Sequence, residues 1–200
     1  MRIGIDFDNT IVCYDPLFYE LGVSKGLIPA NCAANKFAIR AHLSKTNRMK
    51  DWTALQVEIY GREIWRADAF PGFFKFLRAV AEINEIYIVS HKTRYSAIDP
   101  QIDLHEPARN WLKCHGVEQW IPNERVFFLP SRHDKARRIA QLSCDIFIDD
   151  LNDMFDERGF PAATMGILFD PNQAHPDSGQ TRRALSWRAI EQMIANGLNV

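Results

Sequence analysis

The sequence predicts an α/β fold: a doubly wound parallel sheet with a small helical insertion. Five short apolar runs alternate along the chain with segments of helical periodicity, which is the pattern of strands and helices in a parallel sheet. Acidic or hydroxyl residues follow directly after three of these runs, and open α/β sheets bind ligands at the carboxyl ends of their strands. The predicted strands are Arg2 to Phe7, Glu85 to Ser90, Arg125 to Leu129, Asp145 to Asp149 and Thr164 to Phe169.

Four helices are predicted to cover this sheet. The first begins near Pro71, because proline suits a first helical turn, and Ser131 or Asp134 is the expected N-cap of the third. Apolar residues predicted to face inward on the first helix are Phe73, Phe74, Leu77 and Val80. The other helices are His105 to His115, Asp134 to Leu142 and Arg182 to Asn196, with Gly116 and Gly197 as stops.

A segment of roughly sixty residues between Thr10 and Pro71 interrupts this alternation and is too long for an ordinary connection in a compact domain. It has helical character and no convincing strand. We therefore assign residues 1–12 and 70–200 to a core domain and residues 13–69 to an inserted helical domain. Its predicted helices are Asp15 to Gly22, Asn35 to Leu43 and Asp51 to Ala67, the last with Asp51 as N-cap and a buried stripe of Trp52, Leu55, Ile59 and Ile64.

The composition is typical of a globular chain. Of its 200 residues 46% are hydrophobic, and the formal net charge of −1 leaves no extended basic face for nucleic acid. No apolar run approaches the roughly 20 residues of a membrane-spanning helix, and the N-terminus enters a strand instead of a signal peptide. We therefore expect a cytoplasmic protein that binds neither nucleic acid nor membrane. The four cysteines lack metal-binding spacing and are expected to be reduced.

The first predicted strand runs directly into Asp6-Phe7-Asp8-Asn9-Thr10. Side chains alternate along an extended chain, so Asp6 and Asp8 are expected on one side and Phe7 on the other. Two carboxylates this close repel each other and lose water, which a core selected for stability alone would avoid. The pattern therefore indicates a site for a cation or a reacting group.

Three further polar groups follow in order along the chain. One strand ends in Ser90-His91-Lys92-Thr93, Lys135 lies at the start of a predicted helix, and another strand ends in Asp149-Asp150-Leu151-Asn152-Asp153. This order of DxDxT, hydroxyl, lysine and acidic pair resembles the haloacid dehalogenase-like (HAD) phosphohydrolase superfamily, from Met1 to about Pro171. The resemblance implies a Rossmann-like core and makes the inserted domain a cap that encloses small substrates.

The resemblance also implies a set of chemical roles. Asp6 would attack phosphorus to form an aspartyl-phosphate, and Asp8 would act as general acid and base. Family members that attack carbon–halogen bonds lack a carboxylate at the position of Asp8, so phosphoryl transfer is favoured over dehalogenation. A Mg²⁺ ion is implied, with Asp6, Asp149 and the backbone carbonyl of Asp8 as hard oxygen ligands. Asp150 and Asp153 remain alternatives for supporting the metal and its water.

Phosphate-binding residues are implied as well. Ser90 would donate to a phosphoryl oxygen, and Lys135 would offset the excess negative charge. Each also has a simpler explanation, since a serine after a strand is commonly a turn residue and a lysine in a first helical turn is commonly solvated. His91 and Lys92 are candidates to contact the phosphate or leaving group, although polar loops carry such residues for solubility. Thr10 is the remaining candidate for binding the phosphate.

Together these features predict a magnesium-dependent phosphatase acting on a small phosphomonoester, of the nucleotide or sugar phosphate class. A phosphotransferase or phosphomutase would use the same nucleophile and pass the phosphoryl group to a hydroxyl, and the sequence does not separate these activities. A receiver-like signalling domain is the alternative from another class. In a receiver the acidic pair lies on the first strand and the lysine late in the chain, whereas here Lys135 precedes Asp149.

Overall fold

The computed structural model describes residues 1–175 and 181–196, which form two compact units. The first comprises Met1–Ile11, Ala69–Lys92 and the described residues from Val117 onward, and the second comprises Val12–Asp68 and Thr93–Gly116. The second unit thus holds the predicted insertion together with residues 93–116, which the sequence-based division assigns to the core. Trp111 fixes part of that segment there, because its indole N–H donates to the carbonyl of Ala67 at 2.7 Å.

The elements are as follows in chain order. The strands are β1 (Arg2–Ile5), β2 (Val12–Cys13), β3 (Asp68–Ala69), β4 (Glu85–His91), β5 (Val126–Leu129), β6 (Ile146–Asp149), β7 (Met165–Phe169) and β8 (Arg182–Ala184). The helices are α1 (Asp15–Ser24), α2 (Lys36–Lys45), α3 (Met49–Val57), α4 (Phe73–Val80), α5 (His105–Cys114), α6 (Arg132–Gln141) and α7 (Trp187–Ala195). No helix within the described residues is long and apolar enough to cross a membrane.

The first unit is built on a six-stranded sheet in the order β5-β4-β1-β6-β7-β8, with every pairing parallel. This confirms the predicted fold class and the five predicted strands. From β1 the chain moves outward through β4 and β5, then returns to the other side of β1 and continues through β6, β7 and β8. Strand order therefore reverses at β1, which is where open α/β sheets bind ligands.

The sheet has an apolar core on each face. On one face, Phe147 of β6 packs with Ala136 and Ile139 of α6. Phe147 pairs in register with Gly166, so Phe169, three residues further along β7, lies on the opposite face. There it contacts Trp187 of α7 with ring centroids 5.2 Å apart. Both faces are therefore covered, as the near-continuous apolar strands require.

The second unit has its own aromatic and aliphatic core. Phe18 of α1 stacks on Trp52 of α3 with centroids 4.9 Å apart and an interplanar angle of 15°. The predicted stripe is confirmed, since all four of its members are buried: Trp52, Leu55, Ile59 and Ile64. The helical segment containing them is nevertheless broken. After α3 the chain forms a π-helical turn at Glu58–Arg62 and a 3₁₀ turn at Ile64–Arg66.

Several details of the sequence prediction were wrong. The predicted N-cap Asp51 lies inside α3, where it accepts from Arg48 Nε at 2.7 Å. Residues Arg182–Ala184 pair with β7 as a strand instead of opening the last helix, which begins after Ser186. Pairing with an existing strand edge here overrides helical propensity. The predicted stop Gly197 lies outside the described residues.

Two smaller corrections concern the ends of the insertion and α4. The region between Thr10 and Pro71 does contain strands, because the two-residue β2 and β3 pair as a separate small sheet. In α4, Phe76 is fully buried, whereas the predicted Phe74 is only half-buried. The α6 cap is Ser131, whose hydroxyl oxygen accepts from the Asp134 backbone N–H at 3.0 Å.

Candidate active site

The predicted motifs meet at one edge of the first unit because of strand register. Ile5 of β1 pairs with Ile88 of β4 on one side and with Ile148 of β6 on the other. The strands are parallel, so the residues that follow these three isoleucines emerge together at the carboxyl edge of the sheet. This register brings Asp6, Ser90 and Asp149 to the same edge, beside the point where strand order reverses.

Three carboxylates form a buried cluster at this edge. Oxygen atoms of Asp6, Asp149 and Asp150 all lie within 4.8 Å of one another, and all three residues are buried. Isolated buried carboxylates are costly unless they are paired or bind a cation. The cluster therefore needs positive charge close by.

Lys135 supplies part of that charge. It lies in the first turn of α6, whose start is fixed by Ser131, and its backbone N–H donates to the Ser131 carbonyl at 3.0 Å. From there its Nζ donates to Asp6 Oδ1 and to Asp149 Oδ2, the latter at 2.6 Å. Lys135 is itself buried, so its predicted alternative as a solvated lysine is wrong.

The electrostatics of the cluster reflect burial first and neighbouring charge second. Burial raises the pKa of Asp6 to about 6; the ammonium of Lys135 opposes this shift and the Asp149 carboxylate adds to it. Burial likewise raises the pKa of Asp149, again against Lys135. For Lys135, burial would lower the pKa, but Asp149 and Asp6 outweigh it and hold the pKa above its ordinary value. One lysine therefore does not fully compensate three acids.

Asp8 forms a separate ion pair with Lys92. Lys92 Nζ donates to both carboxylate oxygens of Asp8, at 2.9 and 2.8 Å, and lies 5.6 Å from the centre of the Phe7 ring. The Lys92 backbone N–H donates to the carbonyl of Leu129 at 2.8 Å, which holds the residue just beyond the end of β4. The Asp8 carboxylate is thus oriented by a lysine of its own, apart from the cation shared by Asp6 and Asp149.

The turn after Asp8 depends on a left-handed residue. Asn9 has φ of 61°, a conformation that asparagine tolerates better than most residues. The turn closes where the Ile11 N–H donates to the Phe7 carbonyl at 3.1 Å. Among the described residues, the hydroxyl oxygens of Thr10 and Ser90 are buried without a hydrogen-bond partner. Buried hydroxyls are normally satisfied, so these two are available to an oxyanion.

His91 and Asp153 lie in more open positions. His91 is partly exposed, and partial burial lowers its pKa, with the cations Lys135 and Arg132 adding to the shift. The Asp153 side chain is 79% exposed, and its Oδ2 lies 3.6 Å from Arg132 Nη1. Of the two alternatives for supporting a metal, Asp150 lies in the buried cluster and Asp153 does not.

No protein-family model matches the amino-acid sequence, and no curated protein matches it significantly. Comparison of structures gives a different result, with dozens of solved chains matching.

Three of these solved structures illustrate the similarity. A haloacid dehalogenase-like protein of unknown function from Agrobacterium tumefaciens superposes with a TM-score of 0.61 at 11% identity, over 99% of each chain. The HAD-hydrolase YfnB from Bacillus subtilis, solved with magnesium, gives 0.54 at 13% identity over 100% of this chain and 98% of that one. A HAD family hydrolase from Deinococcus radiodurans, with bound phosphate and sodium, gives 0.56 at 15% identity over 98% and 95%. This chain has the haloacid dehalogenase-like fold.

Within this HAD-like fold, the structure gathers most of the predicted site residues. Asp6, Asp149, Asp150 and Lys135 form one contiguous cluster. The pair of Asp8 and Lys92, the two buried hydroxyls and His91 belong to the same three strand ends and the loops that follow them. Of the acids predicted to support a metal, Asp153 is exposed and lies outside the buried cluster.

Sequence reasoning missed two residues that shape this edge of the HAD-like fold. Asn9 sets the turn between Asp8 and Thr10, and its signal was an asparagine between two polar residues after a strand. Asp170 follows β7 and is fully buried; it accepts from the Ala174 N–H at 2.8 Å and lies 3.3 Å from Arg183 Nη2. Its signal was an acid directly after an apolar strand, the same one that identified Asp6 and Asp149.

Proposed function

We propose that this protein is a Mg²⁺-dependent phosphatase that hydrolyses a small-molecule phosphomonoester through an aspartyl-phosphate on Asp6. The observation that carries the proposal is the buried cluster of Asp6, Asp149 and Asp150, which Lys135 compensates only in part. A structural role alone does not account for three buried acids beside two buried hydroxyls without partners. A phosphate would accept hydrogen bonds from the two hydroxyls, and a divalent cation would compensate the buried acids.

In the first half of the reaction, an Asp6 carboxylate oxygen bonds to phosphorus while the bond from phosphorus to the leaving oxygen breaks. Asp8 protonates that oxygen. In the second half, water attacks the phosphorus of the aspartyl-phosphate, Asp8 takes the proton, and Asp6 is released with inorganic phosphate. The ion pair with Lys92 would orient the two Asp8 oxygens for both halves, in which Asp8 first gives up its proton and then regains one from water. The carboxylate at this position also supports a phosphatase over a dehalogenase.

The remaining residues bind the transferring group. The hydroxyls of Ser90 and Thr10 would donate to phosphoryl oxygens, and Lys135 would offset negative charge as the phosphate enters. His91 and Lys92, at the end of β4, would contact the phosphate or leaving group. These contacts position the phosphorus for attack, which is the main contribution a protein makes to phosphoryl transfer.

The donor set fits magnesium. Its oxygens are all hard, they come from a compact cluster, and the acids outnumber the buried lysine that compensates them. Asp6, Asp149 and the backbone carbonyl of Asp8 would hold the ion, with Asp150 in support. When bound, Mg²⁺ would screen the charge of nucleophile and substrate and hold the phosphate in line.

The second unit would act as the cap in this proposal. Its first segment enters the chain directly after the Asp6 to Thr10 loop, which is where a substrate-enclosing insertion is expected. The proposed partner is accordingly a small phosphorylated metabolite, such as a nucleotide or a sugar phosphate, and not a polymer.

The test is phosphate release from a panel of nucleotides, sugar phosphates and small acid phosphates, with Mg²⁺ and with a chelator. The wild-type chain is compared with Asp6→Asn, which keeps the side-chain shape, and with Asp156→Asn as a matched control on the surface. We expect Mg²⁺-dependent release in the wild type and in the control, and none in Asp6→Asn. Turnover that survives in Asp6→Asn would refute the covalent mechanism. Phosphoryl transfer to an added alcohol without phosphate release would replace the hydrolase by a phosphotransferase.

A further inference from the structure

The second unit contains a cavity of about 510 Å³ whose lining includes none of the acidic-site residues. Small-molecule sites in proteins occupy roughly 300–1,000 Å³, so the cavity has the size of a ligand site. Its walls come from the segment after α3 and from α5, both within this unit. They include Arg62, Trp65, Glu106, Asn110 and Cys114.

An unusual backbone feature forms one wall. The π-helical turn at Glu58–Arg62 is followed at once by the 3₁₀ turn at Ile64–Arg66. π-Helical turns are rare, they are less favourable than α-helix, and they occur frequently at functional sites. Here the two turns place Arg62 and Trp65 on the cavity wall. Gly61 allows the close packing, since a Cβ at that position would lie 2.9 Å from Ile102 Cγ2.

The two tryptophans that line the cavity differ in their exposure to solvent. Trp111 is 2% exposed, and it is held by its hydrogen bond to Ala67 and by stacking on His115 with centroids 3.9 Å apart. Trp65 is 73% exposed. A large indole left in water forgoes most of the stabilisation that its burial would give. The Trp111 ring is therefore packed within the wall with almost none of its surface accessible, whereas the exposed Trp65 ring is available to cover a flat ligand.

The polar side chains of Arg62, Glu106 and Asn110 in the lining are exposed, and their chemistry indicates what such a ligand would carry. Arg62 and Glu106 line the same cavity, yet neither forms an ion pair with any residue that the structure describes. The amide of Asn110 adds a hydrogen-bonding group to the lining. An anionic group would match Arg62, and an N–H donor would match Glu106.

We propose that this cavity binds a planar aromatic anion that also carries an N–H donor. The ring packs against the Trp65 indole, the anion pairs with Arg62, and the N–H donates to Glu106. The inference does not depend on the proposed phosphatase activity, because it uses none of the acidic-site residues.

The probe is 8-anilinonaphthalene-1-sulfonate, which has a flat ring system, one sulfonate and one anilino N–H. Its fluorescence is titrated with the full-length chain and with Arg62→Ala and Trp65→Ala. The controls are Arg40→Ala, which removes an exposed cation from α2, and Ile83→Ala, which removes an apolar side chain that is 82% exposed in the first unit. We expect each cavity variant to raise the dissociation constant by about tenfold or more, and each control to leave it within about twofold.

A second measurement uses the wild-type chain, so it does not depend on any variant folding. Cys114 lines the cavity and is exposed, whereas Cys32 of the same unit is outside the lining. Saturating probe should slow the alkylation of Cys114 by iodoacetamide several-fold and leave Cys32 unchanged, as read by peptide mass mapping. Equal rates with and without probe would overturn the proposal. So would dissociation constants that change as much in the two controls as in the two cavity variants.

Discussion

Replacing Asp6 by asparagine should make the metal-free protein more stable while it removes the proposed nucleophile. The reason is the cost of ionising Asp6 in its buried position. Its pKa is raised from 3.8 to about 6 by burial, with Lys135 opposing and Asp149 adding to the shift. At about 1.4 kcal/mol per unit, ionised Asp6 costs the folded state roughly 3 kcal/mol.

The sign follows from proton linkage. A carboxyl group whose pKa is raised on folding contributes stability below its unfolded pKa, and that contribution is lost as the pH rises through the folded pKa. At about pH 4 the wild type and Asp6→Asn should therefore be similar in stability. At about pH 7.5, in chelator, Asp6→Asn should have a free energy of unfolding higher by roughly 2 to 3 kcal/mol.

The assay is urea unfolding followed by tryptophan fluorescence, at several pH values, with chelator and then with Mg²⁺. Asp156→Asn, an exposed acid, is the control and should change stability by less than about 0.5 kcal/mol. Added Mg²⁺ should stabilise the wild type more than Asp6→Asn, because the variant lacks one of the carboxylates proposed to bind the metal. A destabilised Asp6→Asn, or a difference from wild type that does not grow between pH 4 and 7.5, would refute the reasoning.

Three other predictions concern neighbouring residues. Lys135→Met should lower the free energy of unfolding by about 3–5 kcal/mol in chelator near neutral pH, because it leaves buried carboxylates without their cation. Urea unfolding measures this loss, and an equal loss in the exposed control Lys75→Met would contradict the prediction. Ser131→Ala should cost about 1 kcal/mol by removing the cap of α6, as measured by thermal unfolding, and an unchanged midpoint would show that the cap is not needed. Burial raises the pKa of Cys144 to about 12, so exposed Cys114 should be alkylated much faster near pH 8; similar rates would argue against this burial.

The sequence predicted the sheet well, and the polar residues it singled out at the strand ends do meet at one edge, because both features depend on local patterns. A run of apolar residues that ends in a polar group identifies a strand and its carboxyl end together, and this located β1, β4 and β6 within one or two residues. Parallel pairing then brings those ends to one edge whatever the details of packing. The sequence alone therefore predicts that Asp6, Ser90 and Asp149 lie at one edge.

Other features depend on contacts between residues far apart in the chain, which no local pattern encodes. Arg182–Ala184 became a strand because β7 offered an open edge, and the break after α3 follows from packing within the second unit. The partner of each lysine was equally undetermined. The sequence placed Lys135 at a helix start and Lys92 after a strand, but it did not show that Lys135 pairs with Asp6 and Asp149 or that Lys92 pairs with Asp8.

By itself, then, the sequence determined the fold class, the carboxyl edge of the sheet as the candidate site and the residue types present there. The tertiary structure decided which charges pair, that Asp150 and not Asp153 lies with the buried acids, and that residues 93–116 belong to the helical unit. The physical reason is the distance along the chain over which each interaction acts. Strand alternation and helix capping act over a few residues, whereas burial and ion pairing depend on the whole packed chain.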